Sequence, residues 1–253
     1  MKLNLKDVTF LIPVKIDSVI RIENLLATIR NITCHFNTNV IVIEVARYNN
    51  RVLPKLLNRK IQYIFEDDND PIFYRTKYLN LIANKIKTTF LAVWDADIII
   101  DKNQIKDSVV KLRDENLDIV YPYDGRFYDT SPIIRELFLR RKKNSLLHKN
   151  ISRMSLPYGN HHKGGAFIAN TESYKKAGME NVNFYGWGPE DFERFERWKN
   201  MNYKIYFTPG ALYHLTHPRD INGKFNSKFQ MNAANTTLIQ TRNSSKEEIL
   251  HLL

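Results

Sequence analysis

The sequence predicts an α/β protein built on a mostly parallel central sheet flanked by helices, and three observations carry that expectation. Short β-branched runs alternate with amphipathic stretches through the first half of the chain. Several of those runs end in polar or charged residues, and sheets of this kind bind ligands at the carboxyl ends of their strands. The chain has 253 residues, 43% of them hydrophobic, enough to bury one sizeable core.

Taken in order, residues 8–13 (VTFLIP) read as a buried strand stopped by Pro13. Asp17 or Ser18 suits the cap of a helix whose Ile22, Leu25, Leu26 and Ile29 recur at helical spacing. Residues 40–45 and 61–65 are two further strands, separated by a polar and basic loop. Pro71 suits a helix start, followed by a stripe of Tyr74, Tyr78, Leu81, Ile82 and Ile86. Residues 90–94 form the next strand, and a helix near 101–113 and a strand at 118–122 follow.

The strand at 90–94 ends in Asp95-Ala96-Asp97. Alternation along an extended backbone would turn both carboxylates to one side. Two hard oxygen donors there suit a divalent cation that also holds a diphosphate. A polar turn closing a buried strand accounts for the pair equally well. Pro13-Val14-Lys15 ends a neighbouring strand, so the two segments are expected in one crevice.

The second half is less regular. Residues 133–149 combine Ile133, Ile134, Leu137 and Phe138 with a basic cluster at 140–143. A solvated helix face is the simpler account, and contact with an anionic membrane the alternative. Gly164-Gly165 precede the apolar run AFIA in a chain with only 9 glycines, as a tight turn or a close approach to a ligand. In YGWGPED, Pro189, Glu190 and Asp191 follow ordinary helix-start rules. An aromatic between glycines beside two carboxylates is also a way to stack a sugar ring and grip its hydroxyls. His214 and His217, three apart after a short strand, are a candidate ligand pair. The polar stretch after Pro218 suits a lid, and the last thirty residues carry no readable chemistry.

Bulk properties narrow the partners. A net charge of +11 favours anionic ones. Nucleic acid is not among those expected, since no helix-turn-helix, RRM or zinc pattern is present. The single cysteine, Cys34, rules out an intrachain disulfide and fits a reducing interior. No apolar run is long enough to span a membrane, and the N-terminal segment lacks a signal-peptide core. A cytoplasmic protein is therefore expected, with the basic surface free to touch the inner membrane face. The sequence assigns no oligomeric state.

The order PVK, FYRTKYLN, WDADI, KGGAF, GWGPED and HLTHPRD, from Pro13 to Asp220, resembles the β-1,4-galactosyltransferase family and its bacterial relatives, including the transferase modules of chondroitin-type polymerases. The resemblance implies a single GT-A glycosyltransferase domain. Residues 1–125 would be its nucleotide-sugar half, 126–220 its acceptor-binding and catalytic half, and 221–253 a lid or tail. It also implies a UDP-sugar donor, Mn²⁺ with Mg²⁺ as substitute, and a saccharide or glycolipid acceptor. The expected reaction is inverting transfer of a hexose or N-acetylhexosamine, galactose or N-acetylgalactosamine foremost, in surface polysaccharide or glycolipid synthesis. A retaining or different-nucleotide transferase is the first alternative, and a non-catalytic basic nucleic-acid-binding protein, resting on the net charge alone, the second.

Carried over residue by residue, Pro13, Val14, Lys15 and Asp17 match the uridine-contacting segment, and Phe73 and Arg75 the helix start beside the nucleotide. Asp95, Ala96 and Asp97 match the acidic segment at the donor, with Asp97 ligating the metal together with His217. His214 stands where animal members have a thioether ligand. Asp191 matches the catalytic base and Glu190 an acceptor-hydroxyl contact. Gly164 and Gly165 match backbone near the acceptor, and Trp187 a mobile tryptophan that meets both substrates. Three departures stand out: Pro189 replaces a glycine, His162 occupies a position that helps select the donor's C2 substituent, and the second arginine after Pro13 is missing.

Overall fold

The computed structural model describes residues 2–252. The chain opens with β1 (Leu3–Val14), buried without interruption from Val8 onward, as expected of a strand covered on both faces. Helix α1 (Val19–Thr33) starts where Ser18 Oγ accepts the Arg21 N–H, at 3.3 Å. Then come β2 (Phe36–Ala46), α2 (Val52–Leu56), β3 (Gln62–Asp67), α3 (Arg75–Ala83), β4 (Phe90–Trp94) and a two-residue strand β5 (Ile98–Ile99). The middle of the chain adds α4 (Lys102–Asp114), β6 (Ile119–Tyr121), β7 (Phe127–Asp129), α5 (Pro132–Arg141) and α6 (Asn144–Lys149). The remainder comprises β8 (Ala166–Asn170), α7 (Thr171–Lys176), α8 (Glu190–Asn200), β9 (Ile205–Phe207), β10 (Leu212–His214), α9 (Lys228–Asn243) and α10 (Lys246–Leu252).

Seven strands form the main sheet in the order β3-β2-β1-β4-β8-β6-β9. Every pairing is parallel except those of β8, which runs against β4 and β6. The mostly parallel α/β expectation therefore holds, with one reversed strand. That reversal matters, because the start of β8 lies beside the end of β4: Ala166 pairs with Trp94, and the Asp95 N–H reaches the Gly165 carbonyl at 2.9 Å. A second sheet of three short strands, β5-β10-β7, lies next to this point. Behind both, Trp94, Tyr121, Phe167 and Trp198 are fully buried in one continuous core.

Some elements differ from the sequence reading. Helix α3 begins at Arg75 instead of Pro71, because side chains outside it hold the preceding backbone: Asp70 Oδ1 accepts from Ile72 N (2.9 Å) and Asn222 Oδ1 from Phe73 N (2.7 Å). Ile86 lies past its end but is still buried. The basic helix breaks at Lys142, whose φ is +54°, and Ile133 and Leu137 face outward. The final segment is helical: α9 packs along α8, and the Asn200 amide donates to Thr241 O at 2.8 Å. Among the described residues no helix is long and apolar enough to cross a membrane.

Gly165 sits at the junction of the two sheets with φ +87°, where a Cβ would come within 3.0 Å of Leu212 Cδ1 and 3.2 Å of Ile98 Cδ1. Gly159 has a similar φ, +59°, but open space around it. Gly165→Ala is expected to cost about 2–4 kcal/mol, combining left-handed backbone strain with overpacking. Gly159→Ala, which bears the strain alone, is expected to cost about 1–2 kcal/mol. Denaturant midpoints at unchanged m-value measure both. Equal losses would show that packing at the junction is not tight.

Candidate active site

The turn after β4 positions the first two carboxylates. β4 ends at Trp94, and the following residues 95–97 curve into β5, with the Ile98 N–H reaching back to the Asp95 carbonyl at 3.4 Å. Asp95 and Asp97 thus enter one cavity from a turn, and strand alternation is not what aligns them. The turn is clamped from behind. Trp94 Nε1 and Thr28 Oγ1 both donate to Ile98 O, at 3.2 and 3.3 Å.

Register in the small sheet brings the histidines to Asp97. β10 runs antiparallel to β5, with His214 opposite Ile98, and the Leu215 N–H donates to the Asp97 carbonyl at 2.8 Å. β7 runs parallel to β10 on its other side, with His214 beside Asp129. Neighbouring cross-strand side chains on one face lie close enough to interact. Asp129 Oδ1 accepts from His214 Nδ1 at 2.8 Å, which directs the opposite ring nitrogen toward Asp97 Oδ1, 3.6 Å away. His217 has the same arrangement. Its Nδ1 is 2.6 Å from the Pro218 carbonyl, and Nε2 is 3.0 Å from Asp97 Oδ2.

Asp97, His214 and His217 therefore offer three ligand atoms within 4.8 Å of one another. One carboxylate and two imidazoles, each imidazole tied at the far nitrogen by an oxygen, suit a hard or borderline divalent cation such as Mn²⁺. Burial alone would lift the Asp97 carboxyl, but the two histidines hold it well below the usual carboxylate range. Burial opposes protonation of His214, and the Asp97 charge with the Asp129 hydrogen bond outweighs it, raising that ring to about 9. A cation held by these three residues would take the place of this proton.

The cavity between these groups and α8 has a volume of about 440 Å³. Pro13, Val14, Lys15, Asp17, Phe73 and Arg75 line one side. The Asp95–Asp97 turn with His214 and His217 forms its base, and Gly165, Trp187, Glu190 and Asp191 the other side. Of the residues predicted from sequence, only Gly164 does not line the cavity. It lies directly beneath Asp191, where a Cβ would meet Asp191 Oδ2 at 2.3 Å and His162 Nε2 at 2.8 Å. Lys15 is tied through its ammonium to the Asp70 carbonyl. Arg75 grips Asp95 through Nε and Nη2, at 3.1 and 2.6 Å, while its Nη1 is buried without a partner.

Asp191 and Glu190 open α8 but behave as opposites. Asp191 Oδ1 accepts from Arg194 Nη2 at 2.6 Å, and no protein donor reaches its Oδ2 among the described residues. Burial would raise the Asp191 carboxyl, yet Arg194 and Arg75 keep it below its ordinary value. Glu190 has no such cation in contact. Burial and the neighbouring Asp191 charge push it up to about 8, and its Oε2 is buried without a partner.

Several lining or supporting residues escaped the sequence reading. Arg21, one turn into α1, lies 3.7 Å from Asp97 and 3.2 Å from His217 Nδ1, and brings a guanidinium to the region where the arginine after Pro13 is missing. Its spacing from Asp17, i to i+4, was a readable signal. Arg194, three residues after Asp191, was readable in the same way. Asp129, Phe127 and Tyr158 were not, because only strand pairing and loop packing bring them in. From the C-terminal segment, Gln230 Nε2 donates to Tyr185 O at 2.6 Å and Trp187 O at 3.3 Å, and Phe225 packs edge-on against Trp187 at 4.9 Å.

Asp129→Ala is expected to weaken Mn²⁺ binding about 10- to 100-fold, the usual cost of losing the hydrogen-bond partner of a ligating histidine. Asp129→Asn, which keeps an oxygen acceptor, is expected to lose less. Calorimetric titration with Mn²⁺ reads both, and equal affinity in wild type and Asp129→Ala would remove Asp129 from the site.

Residues 146–220 match a family model described as the N-terminal domain of galactosyltransferase. That stretch contains Gly164, Gly165, Trp187, Glu190, Asp191, His214 and His217. No curated protein matches the chain by sequence. Among solved structures, the catalytic domain of Drosophila β1,4-galactosyltransferase 7, in complex with xylobiose, aligns over 97% of this chain and 83% of its own, with TM-score 0.57 and 14% identity. Glucosyl-3-phosphoglycerate synthase of Mycobacterium tuberculosis, with Mn²⁺, UDP and phosphoglyceric acid, aligns over 93% and 78%, with TM-score 0.55 and 12% identity. GalNAc-T7, with UDP, GalNAc and Mn²⁺, aligns over 92% of this chain and 47% of its own, with TM-score 0.59 and 12% identity. The chain therefore shares the GT-A fold of these glycosyltransferases, and the segment that carries half of its cavity is similar to a galactosyltransferase domain.

Proposed function

We propose that the protein is an inverting, metal-dependent glycosyltransferase that moves a hexose or N-acetylhexosamine from a UDP-sugar to a saccharide acceptor. The observation that carries this reading is the free Oδ2 of Asp191 facing the same cavity as the Asp97–His214–His217 ligand set. UDP and Mn²⁺ in the fold neighbours from M. tuberculosis and in GalNAc-T7 support the donor class. Galactose or N-acetylgalactosamine is favoured by the galactosyltransferase segment, and a place in surface polysaccharide or glycolipid synthesis by the bacterial resemblance.

In the proposed reaction the acceptor hydroxyl oxygen attacks the anomeric carbon, the bond from that carbon to the diphosphate oxygen breaks, and UDP leaves. Asp191 Oδ2 takes the hydroxyl proton as general base. Arg194 holds Asp191 ionised and fixed. Glu190, protonated at neutral pH, donates a hydrogen bond to an acceptor oxygen. The guanidinium of Arg21 lines the cavity beside the metal ligands, where diphosphate charge accumulates, and Arg75 holds the neighbouring Asp95. A bound Mn²⁺ supplies Lewis-acid stabilisation of the departing diphosphate. Trp187 with Phe225 forms an aromatic wall against which a sugar ring can stack, excluding water from the reacting bond.

The donor is read by thermal stabilisation with a panel of nucleotide-sugars, each with and without Mn²⁺, since binding to the native state raises its stability by mass action. One UDP-sugar is expected to raise the melting temperature only with metal, and Asp97→Ala to lose that shift. Stabilisation by a GDP-sugar instead would favour a different nucleotide, a reading supported by the Pyrobaculum calidifontis mannosyltransferase bound to GDP-Man (TM-score 0.53, 14% identity, 85% of this chain and 58% of its own). Product analysis by NMR separates inversion from retention.

Asp191→Asn is expected to lower kcat by roughly 10²- to 10⁴-fold, the typical worth of a general base, while keeping the donor-induced melting shift. Normal turnover by this variant would exclude the role. For pH dependence, Glu190 is protonated below about 8 and ionises above it, placing a second charge beside Asp191 and removing its donor hydrogen. The value of kcat/KM is therefore expected to fall as pH rises through about 8. The Glu190→Gln enzyme is expected to lose that alkaline limb, and its persistence would assign the limb to another group.

A further inference from the structure

Helix α1 borders two cavities. Asp17 and Arg21, at its start, line the site already described, whereas Leu26, Ala27 and Arg30 face a second one of about 720 Å³ between α1, α5 and the start of α6. Its apolar lining comes from Leu26, Ala27, Leu56, Phe138 and Leu139. Around it stand Arg30, Lys102, Lys142 and Lys143. None of these four has a salt bridge or side-chain hydrogen bond among the described residues.

Of the two carboxylates at the groove, only Asp101 is free to oppose them. Glu23 is paired with Arg135 at 2.6 Å, and Asp101 caps α4 through the Asn103 N–H at 2.8 Å. Both signs are felt locally: burial and the nearby Lys102 lower His35, and Asp101 raises it. Four cations against the single Asp101 carboxylate leave an excess of positive charge around an apolar pocket, which calls for a ligand with an anionic head and an apolar tail. A second copy of this chain would bring the same positive charge and is disfavoured. A free inorganic anion would engage the lysines but leave the apolar lining wet.

Helix α5 supplies an independent observation. It buries Ile134 and Phe138 but presents Ile133, 73% exposed, and Leu137, 40% exposed, outward one turn apart, with Arg140 and Arg141 also exposed. Glu136 on the same face pairs with Arg140 at 2.8 Å, leaving Arg141 beside the apolar pair, and apolar side chains flanked by basic ones on an outward face are the pattern of a helix lying at a lipid surface.

We propose that this groove, with the outward face of α5, is a docking site for anionic phospholipid, the phosphate held by Arg30, Lys102, Lys142 and Lys143 and the start of an acyl chain resting on Leu26, Phe138 and Leu139. The protein then sits peripherally on a negatively charged membrane. The proposal stands apart from the transferase reading, because no residue of this groove lines the catalytic cavity.

The test is sedimentation of the full chain with vesicles of phosphatidylcholine alone and of phosphatidylcholine mixed with phosphatidylglycerol. Three proteins are compared: wild type, a Lys142→Glu/Lys143→Glu pair, and a Lys85→Glu/Lys87→Glu pair. All four lysines are exposed, so both pairs are expected to fold, and melting temperatures check this. The two pairs carry the same charge change. Wild type is expected to bind only the mixed vesicles, less at high salt. Each basic side chain near an anionic surface is worth roughly a factor of five, so the groove pair is expected to lose about 20-fold or more. The distant pair is expected to lose far less. Absence of phosphatidylglycerol-dependent binding, or equal losses in both pairs, would overturn the proposal. So would inorganic phosphate raising the melting temperature through Lys142 and Lys143 without any vesicle binding, which would assign the groove to a soluble anion.

Discussion

Arg194 is the constraint on which the catalytic side of this protein depends. Its guanidinium is 1% exposed, and it is held by Glu180 at 2.7 Å and Asp191 at 2.6 Å, over the faces of Phe167 and Trp198. A buried cation is tolerated only with such partners, and removing one of them typically costs about 3–5 kcal/mol. The arrangement joins three otherwise separate parts: the segment after α7 that carries Glu180, the first turn of α8, and the aromatic core beneath β8. One turn along, Glu193 pairs with Arg197 at 3.0 Å and accepts the Thr241 hydroxyl at 3.0 Å, fastening α8 to α9 on its other side. The orientation of Asp191 is thus a property of the folded core and not of a loop.

The base of the cavity is fixed in a different way. There the backbone does the positioning, since the pairing of β5, β10 and β7 sets Asp97, His214 and Asp129 side by side. Asn24 reinforces this from α1, donating to Leu215 O at 2.7 Å and accepting from Arg135 Nε at 2.7 Å. By contrast, the walls formed by Trp187, Asn222 and Phe225 are linked mainly by single hydrogen bonds and one aromatic contact. Rigid ligands under a lightly held wall are what a site needs to admit a substrate and then close around it.

Much of this could be read from the sequence, and the parts that could not share a physical cause. Strands such as 40–45 and 90–94 announce themselves because a sheet covered on both faces demands unbroken apolar runs. The capped start of α1 and the acidic start of α8 follow local rules that need no tertiary information. Asp95, Asp97, His214 and His217 were visible as chemistry, but their convergence depends on β8 running backwards and β10 pairing with β5, which local periodicity does not encode. The Pro71 helix start was overridden by Asp70 and by Asn222, about 150 residues away in sequence. Helix α9 was missed because its apolar residues form no continuous stripe, and what it buries, Ala234 and Thr241, is small or polar.

Cations and carboxylates are interleaved around the cavity, and their pairing joins the two halves of the site. Arg21 lies against Asp17 and Asp97, whereas Arg75 pairs with Asp95 and its charge also reaches Asp191 and Glu190. In the proposed reaction negative charge builds on a leaving diphosphate while a proton departs from the attacking hydroxyl. Cations and an ionised carboxylate in one cavity stabilise both changes at once, and in a partly dry cavity each is worth more than in water. Two adjacent carboxyls driven in opposite directions complete the division of labour, because the depressed one can accept a proton while the raised one still has a hydrogen to donate. Arg194 is in direct contact with Asp191 and reaches Glu190 only at longer range, where burial and the Asp191 charge outweigh it.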